Sequence, residues 1–453
     1  AGITLGGAVS GTGSLVKTGA GDLTVTQANP RTGATTLKAG ALELAGGATL
    51  GSGAVVFDGV GGVRVIGAGG ATMANAVTLK TGSPSFNTRD SNLTLSGTLD
   101  WQSAVPNIYK VGTNTLTLAG TGSGVAASIP KVLLREGGLR FASGADYTFD
   151  GATKESFKVG MYANSKTTVA IENGAHVVLG GLSLTAETTS TAGNDSLVTQ
   201  NGGNIELRNT NGDSGTAFSV RDNGTATATY VMNGGTFTMP QAAWANVGNY
   251  GPGRLVVNGG SMTLGRFAAG YQVTSNTAAG GSTDVAVNGG RLEATGSWSW
   301  LSDSGARQTD VRVNGGTLAL PATRAYGTNA IAWTALTLNG GTLEALGTAL
   351  DSAATDNWLS GLRRLALGAG GGTFDTRGQE VTARQNLEAL SNTGGVAKVG
   401  AGSLTLAGTN VLWGLADVRE GALRAKLTHR DLPGTPLAWY GLDSVTNQDL
   451  TGH

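Results

Sequence analysis

The chain has 453 residues, 76 of them glycine and none cysteine, with 13% charged and 40% hydrophobic residues. Glycine far exceeds its usual share of about 7% and charge falls well short of the usual quarter or so, which excludes an ordinary helical protein. Thirty Lys and Arg balance thirty Asp and Glu without a long run of one sign, so nothing recommends a nucleic-acid partner. The apolar content is too high for a disordered glycine-rich linker, and the lack of cysteine excludes disulfides and thiolate metal sites.

No charged-then-apolar leader stands at Ala1 and no apolar stretch approaches about 18 residues, so the chain reads as soluble, already processed and without a transmembrane segment. The first phrase of note is "KTGAGDLTVTQ" from Lys17, continued by "TTLKAGALEL" up to Leu44. Leu23 and Val25, six and eight places after the lysine, alternate as a half-buried strand should. A second block opens at Phe86 with "FNTRDSNLTLSG" and reaches "KVGTNTLTLAG" at Lys110, with Leu116 and Leu118 in the same places. It closes on "VLLREGGLRF" at Phe141.

Between residues 200 and 345 the tripeptide Asn-Gly-Gly occurs six times, at Asn201, Asn233, Asn258, Asn288, Asn314 and Asn339, with spacings of 32, 25, 30, 26 and 25. A period in this range marks a solenoid or array, and it is too short for propeller blades of about 40 to 45 residues. In the five copies from Asn233 on, positions three and one before the Asn and four and six after it are apolar, as in Val311, Val313, Leu318 and Leu320, then Leu336, Leu338, Leu343 and Ala345. Alternation does not run through the tripeptide, so the corner must turn the chain while both strands keep their apolar side inward. Asn and Gly are the residues that tolerate positive φ. One such bend per coil gives a parallel β-helix.

Within these coils "SWSW" puts Trp298 and Trp300 on one side of an extended segment, where they either stack on sugar rings or partner proteins or pack a loop onto the solenoid. Tyr250, Tyr271 and Tyr326 fall in the longer stretches between strands. From Asp351 the rhythm breaks, and Trp358, Leu362 and Leu365 lie at helical spacing, which predicts a short helix or a packed loop there. A third block repeats the second: Phe374 opens "FDTRGQEVTA" 24 residues before Lys398, as Phe86 stands 24 before Lys110. "KVGAGSLTLAG" follows with Leu404 and Leu406, and "LADVREGALRA" ends at Ala425. The lysines at 17, 110 and 398 are either ligands for an anionic surface or, the reading adopted, solvated turn residues that discourage edge pairing.

These blocks resemble the autotransporter-associated β-strand repeat, or passenger-associated transport repeat: a Phe-Asp-Thr strand, a Lys-x-Gly-x-Gly-x-Leu-x-Leu strand, then a Gly-x-Leu strand. The resemblance covers about 1–66, 76–141 and 361–425, with the Asn-Gly-Gly coils over 167–346 as a looser relative. The usual Asn-Thr-Tyr-x-Gly segment survives only as "ANPRTGATT" and "TNVLWGLAD". The resemblance implies a secreted or surface-displayed β-helical stalk at the outer surface of a Gram-negative bacterium. The expected fold is all-β, a right-handed parallel β-helix (β-solenoid) with irregular loop insertions over 1–428. Residues 429–453 read as a linker and, from "LAWYGLD" and "DLTGH", the start of a lectin-like jelly roll.

Chemistry is sparse. His176, His429 and His453 form no metal-spaced pair, acids are scattered singly, and no cofactor is expected. "NTNGDSG" alternates Asn209, Asn211 and Asp213 like oxygen ligands but has Val220 where a calcium loop needs glutamate, so it reads as a polar loop. "TATAT" from Thr225 does not recur as a crystal-binding array would, and reads as an ordinary strand. The leading expectation is a non-catalytic structural solenoid: a stalk, spacer or fibre subunit able to self-associate end to end. The alternative is an adhesin that contacts glycans or cell-surface components through Trp298 and Trp300. A carbohydrate-active enzyme comes third.

Overall fold

The computed structural model describes residues 2–124, 130–150, 156–161, 165–184, 195–208, 216–220, 227–248, 253–270, 283–296, 299–302, 308–325, 334–347 and 358–429. No helix occurs among the described residues, and strands stack on one another in parallel across successive coils. The chain is thus a parallel β-helix. It divides into two compact units, the first of residues 1–218, 222–230 and 235–240, the second of 219–221, 231–234 and 241–453.

In the first unit a coil consists of three short strands. One coil runs through Leu99–Ala104, Asn107–Val111 and Thr115–Leu118. The next lays Thr121–Gly124, Lys131–Leu134 and Gly137–Phe141 on them. Register is kept from coil to coil, so Leu93, Leu116, Leu139, Val169 and Val198 form a column. All five are buried. Period-two alternation sends one face of each strand inward, and parallel stacking in register places like on like, which is how a core forms from strands too short to make one alone.

Glycine also shapes this core by omission. An added Cβ at Gly122 would lie 2.5 Å from the Tyr147 ring, and one at Gly124 would lie 1.9 Å from Trp101 Nε1. The space they leave is filled by Trp101, which stacks on Phe149 at 4.7 Å between ring centroids, with Tyr147 stacked on Phe149 beyond it. All three rings are fully buried, and such offset stacking adds to the area they remove from water.

In the second unit the Asn-Gly-Gly corners stand between strands as the sequence predicts: Thr283–Val287 precedes Asn288 and Arg291–Ala294 follows it, and Thr309–Val313 and Thr317–Leu320 flank Asn314 in the same way. Val311, Val313, Leu318 and Leu320 have no exposed surface, and Leu336, Leu338, Leu343 and Ala345 are equally buried. The reason for Asn at the corner differs from the expectation. Arg377 is the one described non-glycine residue with positive φ, so the asparagines do not use the left-handed region. In the five earlier copies the third residue makes the turn, for example Gly290 at φ 65° and Gly316 at φ 62°. A Cβ on Gly316 would also lie 2.5 Å from the Gly290 carbonyl oxygen one coil below, so glycine is required twice over.

The helical spacing of Trp358, Leu362 and Leu365 does not report a helix. Trp358 stands at a bend and Leu362 in irregular chain, with Leu359 bridged to Ala383, and Leu365 lies in the strand Arg364–Leu367. All three side chains are buried. The Trp358 indole N–H donates to the Leu320 carbonyl at 3.1 Å. The apolar residues are therefore inward positions of a coil with an irregular corner. The candidate jelly-roll start after residue 429 lies outside the described residues.

Candidate functional site

The features shared by the three blocks meet at three lysine corners. In the first unit the Lys110 ammonium donates to the carbonyls of Val111 at 3.2 Å, Gly112 at 2.7 Å and Glu136 at 2.8 Å. Lys17 donates likewise to Thr18 at 3.0 Å, Gly19 at 2.7 Å and Ala39 at 3.0 Å. In the second unit Lys398 donates to Val399 at 2.8 Å, Gly400 at 2.6 Å and Glu420 at 3.1 Å. Each lysine thus uses its three hydrogens on the two carbonyls that follow it and on one from the neighbouring coil. A chain that turns out of its ladder leaves such carbonyls without partners, and here one side chain meets three of them.

These lysines are buried: Lys110 is 2% exposed and Lys398 not at all. This overturns the reading as solvated turn residues, and with every ammonium hydrogen engaged inside the corner they do not serve an anionic surface either. Burial pushes the Lys110 ammonium down to about 7, against the opposing pull of the Glu136 carboxylate. Lys398 is lowered for the same reason, with Asp375 and Glu420 acting against the shift.

The later half of the motif belongs to the same corner. The third acceptor is always followed by a glycine with positive φ: Gly40 at 72°, Gly137 at 69° and Gly421 at 73°. A Cβ at Gly40 would lie 2.8 Å from Lys17 Nζ, and one at Gly421 would lie 2.9 Å from Lys398 Nζ. The glycine therefore aims the preceding carbonyl at the ammonium and leaves room for it. Lys-x-Gly in one coil and Gly-x-Leu in the next are two halves of one contact.

The Phe-x-Thr element closes the corner from the other side. Phe86 is the strand partner of Lys110 and Phe374 that of Lys398, each ring buried one coil below the lysine. The Thr88 hydroxyl donates to the Asn114 carbonyl at 2.7 Å, and the Thr376 hydroxyl to Ala401 at 2.7 Å. Between them Asn87 and Asp375 each accept from the backbone N–H two residues on, Arg89 at 2.9 Å and Arg377 at 2.8 Å. These are Asx turns, which either residue type can make.

Of the other candidates, Trp298 lies outside the described residues; Trp300 lies in the strand Ser299–Ser302, paired with Ala268 and Arg324. Asn209, Asn211, Asp213, Thr225, Tyr250, Tyr271, Tyr326 and His453 also fall outside. His176 is half exposed and hydrogen-bonded to Asp146 at 2.9 Å, and His429 ends the strand Ala422–His429. Among the described residues no group of three His, Asp or Glu side chains could hold a metal ion. A shallow groove of about 340 Å³ in the first unit is lined by Asp22, Ala41, Val60, Arg64 and Ser85. Arg64 pairs there with both Asp22 and Glu43, so its charges are already matched.

Acids that look scattered in the sequence are joined by stacking. In the second unit Arg291 grips Glu344 with two bonds of 2.7 Å, Arg377 adds a third at 2.9 Å, and Glu293 pairs with Arg291 at 2.7 Å. The Arg291 guanidinium holds the Glu344 carboxyl below the usual range. No sequence spacing announces the centre of this network, because Glu344 lies 53 residues from Arg291 and 33 from Arg377.

No curated protein and no solved structure matches the chain. The family model of the Passenger-associated-transport-repeat matches residues 15–44 and 396–425. Those stretches begin at the strands that carry Lys17 and Lys398 and end just past their paired glycines; the corner at Lys110 shares their geometry beyond the matched residues. By sequence match and by corner alike, the chain carries the passenger-associated transport repeat at these two places.

Proposed function

We propose that the chain is a non-catalytic, surface-displayed structural β-solenoid, the stalk or spacer of a secreted passenger. The observation that carries this reading is the direction of the signature residues. Lysine, threonine, phenylalanine and glycine of the repeat face inward and are consumed in joining one coil to the next. A repeated motif that served recognition would instead present its polar groups to water. Repetition here answers the needs of a stack in which each coil contacts only its neighbours.

The test is protease shaving of intact Gram-negative cells that make the protein. Added protease is expected to deplete the chain from the cells while a cytoplasmic marker stays whole. A chain that resists until the cells are lysed would overturn the proposed display.

A further inference from the structure

Asparagine followed by glycine is the dipeptide most prone to spontaneous deamidation, because glycine has no Cβ to keep its nitrogen from the asparagine Cγ. The backbone nitrogen attacks Cγ, the new N–Cγ bond forms as Cγ–Nδ2 breaks, and ammonia leaves with the proton of that N–H. Water then opens the succinimide to aspartate or isoaspartate. The chain has nine such dipeptides, six of them at the Asn-Gly-Gly corners and the others at Asn173, Asn211 and Asn223.

In the second unit most of these asparagines are tied together. Asn258 Nδ2 donates to Asn233 Oδ1 at 2.9 Å, Asn288 to Asn258 at 2.8 Å, and Asn314 to Asn288 at 2.8 Å. The amide that must depart is thus held by the coil below. The attacking nitrogens are engaged as well: Gly289 N donates to Val257 O at 3.2 Å and Gly315 N to Val287 O at 3.3 Å.

Asn339 stands outside this ladder. Its Nδ2 makes no hydrogen bond among the described residues, and its Oδ1 accepts from Gly370 N at 2.9 Å. A backbone N–H on that oxygen polarises Cγ and stabilises the oxyanion formed on attack. The corner also turns differently, with Gly340 rather than the third residue at positive φ, 101°. Here one bond, Gly340 N to Gly371 O at 2.7 Å, holds the nucleophile. At Asn288 the Oδ1 likewise accepts an N–H, from the Asn314 amide, and Gly289 N is likewise held by one bond, so the difference between the sites is the departing Nδ2, which Asn258 Oδ1 holds at Asn288 alone.

We infer that the asparagine ladder suppresses succinimide formation at these corners, and that Asn339 is the first of the six corners to deamidate in the folded chain. The product places a carboxylate, or an extra backbone methylene, at a corner between two coils.

Folded protein held at mildly alkaline pH and 37 °C, then digested and mapped by mass spectrometry with an isoaspartate assay, tests this. Asn339 is expected to deamidate severalfold faster than Asn288, the factor that one additional hydrogen bond to open would supply. In denaturant all six sites should converge. Equal rates at Asn288 and Asn339 in the folded chain would overturn the inference, as would a folded rate at Asn288 equal to its denatured rate. A second arm uses Asn258→Ala, which frees the Asn288 amide: deamidation at Asn288 should rise severalfold with Asn339 unchanged, and no rise would refute protection by the ladder.

Discussion

A lysine that donates all three hydrogens to backbone carbonyls is a different object from a lysine that pairs with a carboxylate, and the consequences can be measured. At Lys110 no acid side chain bonds the ammonium; three carbonyls do so, with the Glu136 carboxylate acting on it only through its charge. Replacing Lys110 with Met keeps much of the buried stem and leaves the Val111, Gly112 and Glu136 carbonyls facing a methyl group, which should cost about 2 kcal/mol. Lys80→Met, at a half-exposed residue paired with Asp58 on the surface, should cost less than about 1 kcal/mol. Urea denaturation of the two variants gives the comparison. The pH dependence has a definite sign. The folded-state value of Lys110 is about 7 against an ordinary 10.5, so between these the unfolded chain holds a proton that the folded chain has shed, and stability from this group rises with pH across that window. Below about 7 both states are protonated and the burial penalty is present in full. Lys110→Met should remove this rise, and an unchanged slope would show that the group does not titrate there. At this scale the sequence showed which residues recur but not why. The contact to the ammonium is made by the main-chain oxygens of Glu136 and Ala39, which any residue type would supply, so composition carries no trace of the contact that buries the lysine.

Strands and corners were the most legible part of the molecule, since alternation at Val311, Val313, Leu318 and Leu320 and its interruption at Asn314 follow from period-two geometry alone. What stayed hidden was the division of labour within the corner. Asn and Gly both favour turns, and only the backbone shows that Gly316 makes the bend while Asn314 reaches to the coil below. The false helix at Trp358, Leu362 and Leu365 has a similar origin, because an irregular corner spaced three buried residues at intervals that a helix would also produce. Glycine substitutions separate backbone strain from stacking. Gly144 has φ 78° with nothing within 4 Å of an added Cβ, whereas Gly290 has φ 65° and would place its Cβ 2.4 Å from the Gly260 carbonyl oxygen. Gly144→Ala should therefore cost about 1 kcal/mol, the price of the left-handed region. Gly290→Ala should cost about 3 kcal/mol or more, since the coil below must also move. Thermal unfolding that ranks the two equally would mean that coil spacing yields readily to a methyl group.

At the scale of the whole molecule, a stack in which each coil touches only its neighbours should tolerate loss of a complete coil and not of a fraction of one. The second unit offers a clean case. Residues 288–313 run from one Asn-Gly-Gly corner to the residue before the next, and Val287 and Val313 are register partners, as are Val285 and Val311. Deleting 288–313 joins Val287 to Asn314, so Thr317–Leu320 comes to lie where Arg291–Ala294 lay and Leu318 covers Met262 as Leu292 did. The asparagine ladder re-forms with Asn314 donating to Asn258. The Arg291 to Glu344 pair is lost, which leaves the buried Glu344 carboxylate to Arg377 alone. The shortened chain should therefore fold, keep a β-type circular dichroism spectrum and unfold cooperatively. Deleting 288–300 removes about half the coil, ends the alternation out of phase and turns inward residues outward along the strands that follow. Proteolysis at equal concentration should leave the first variant largely intact and degrade the second. If both survive alike, the coils are not the units of stability, and the inward-facing lysine corners would need a purpose other than joining one coil to the next.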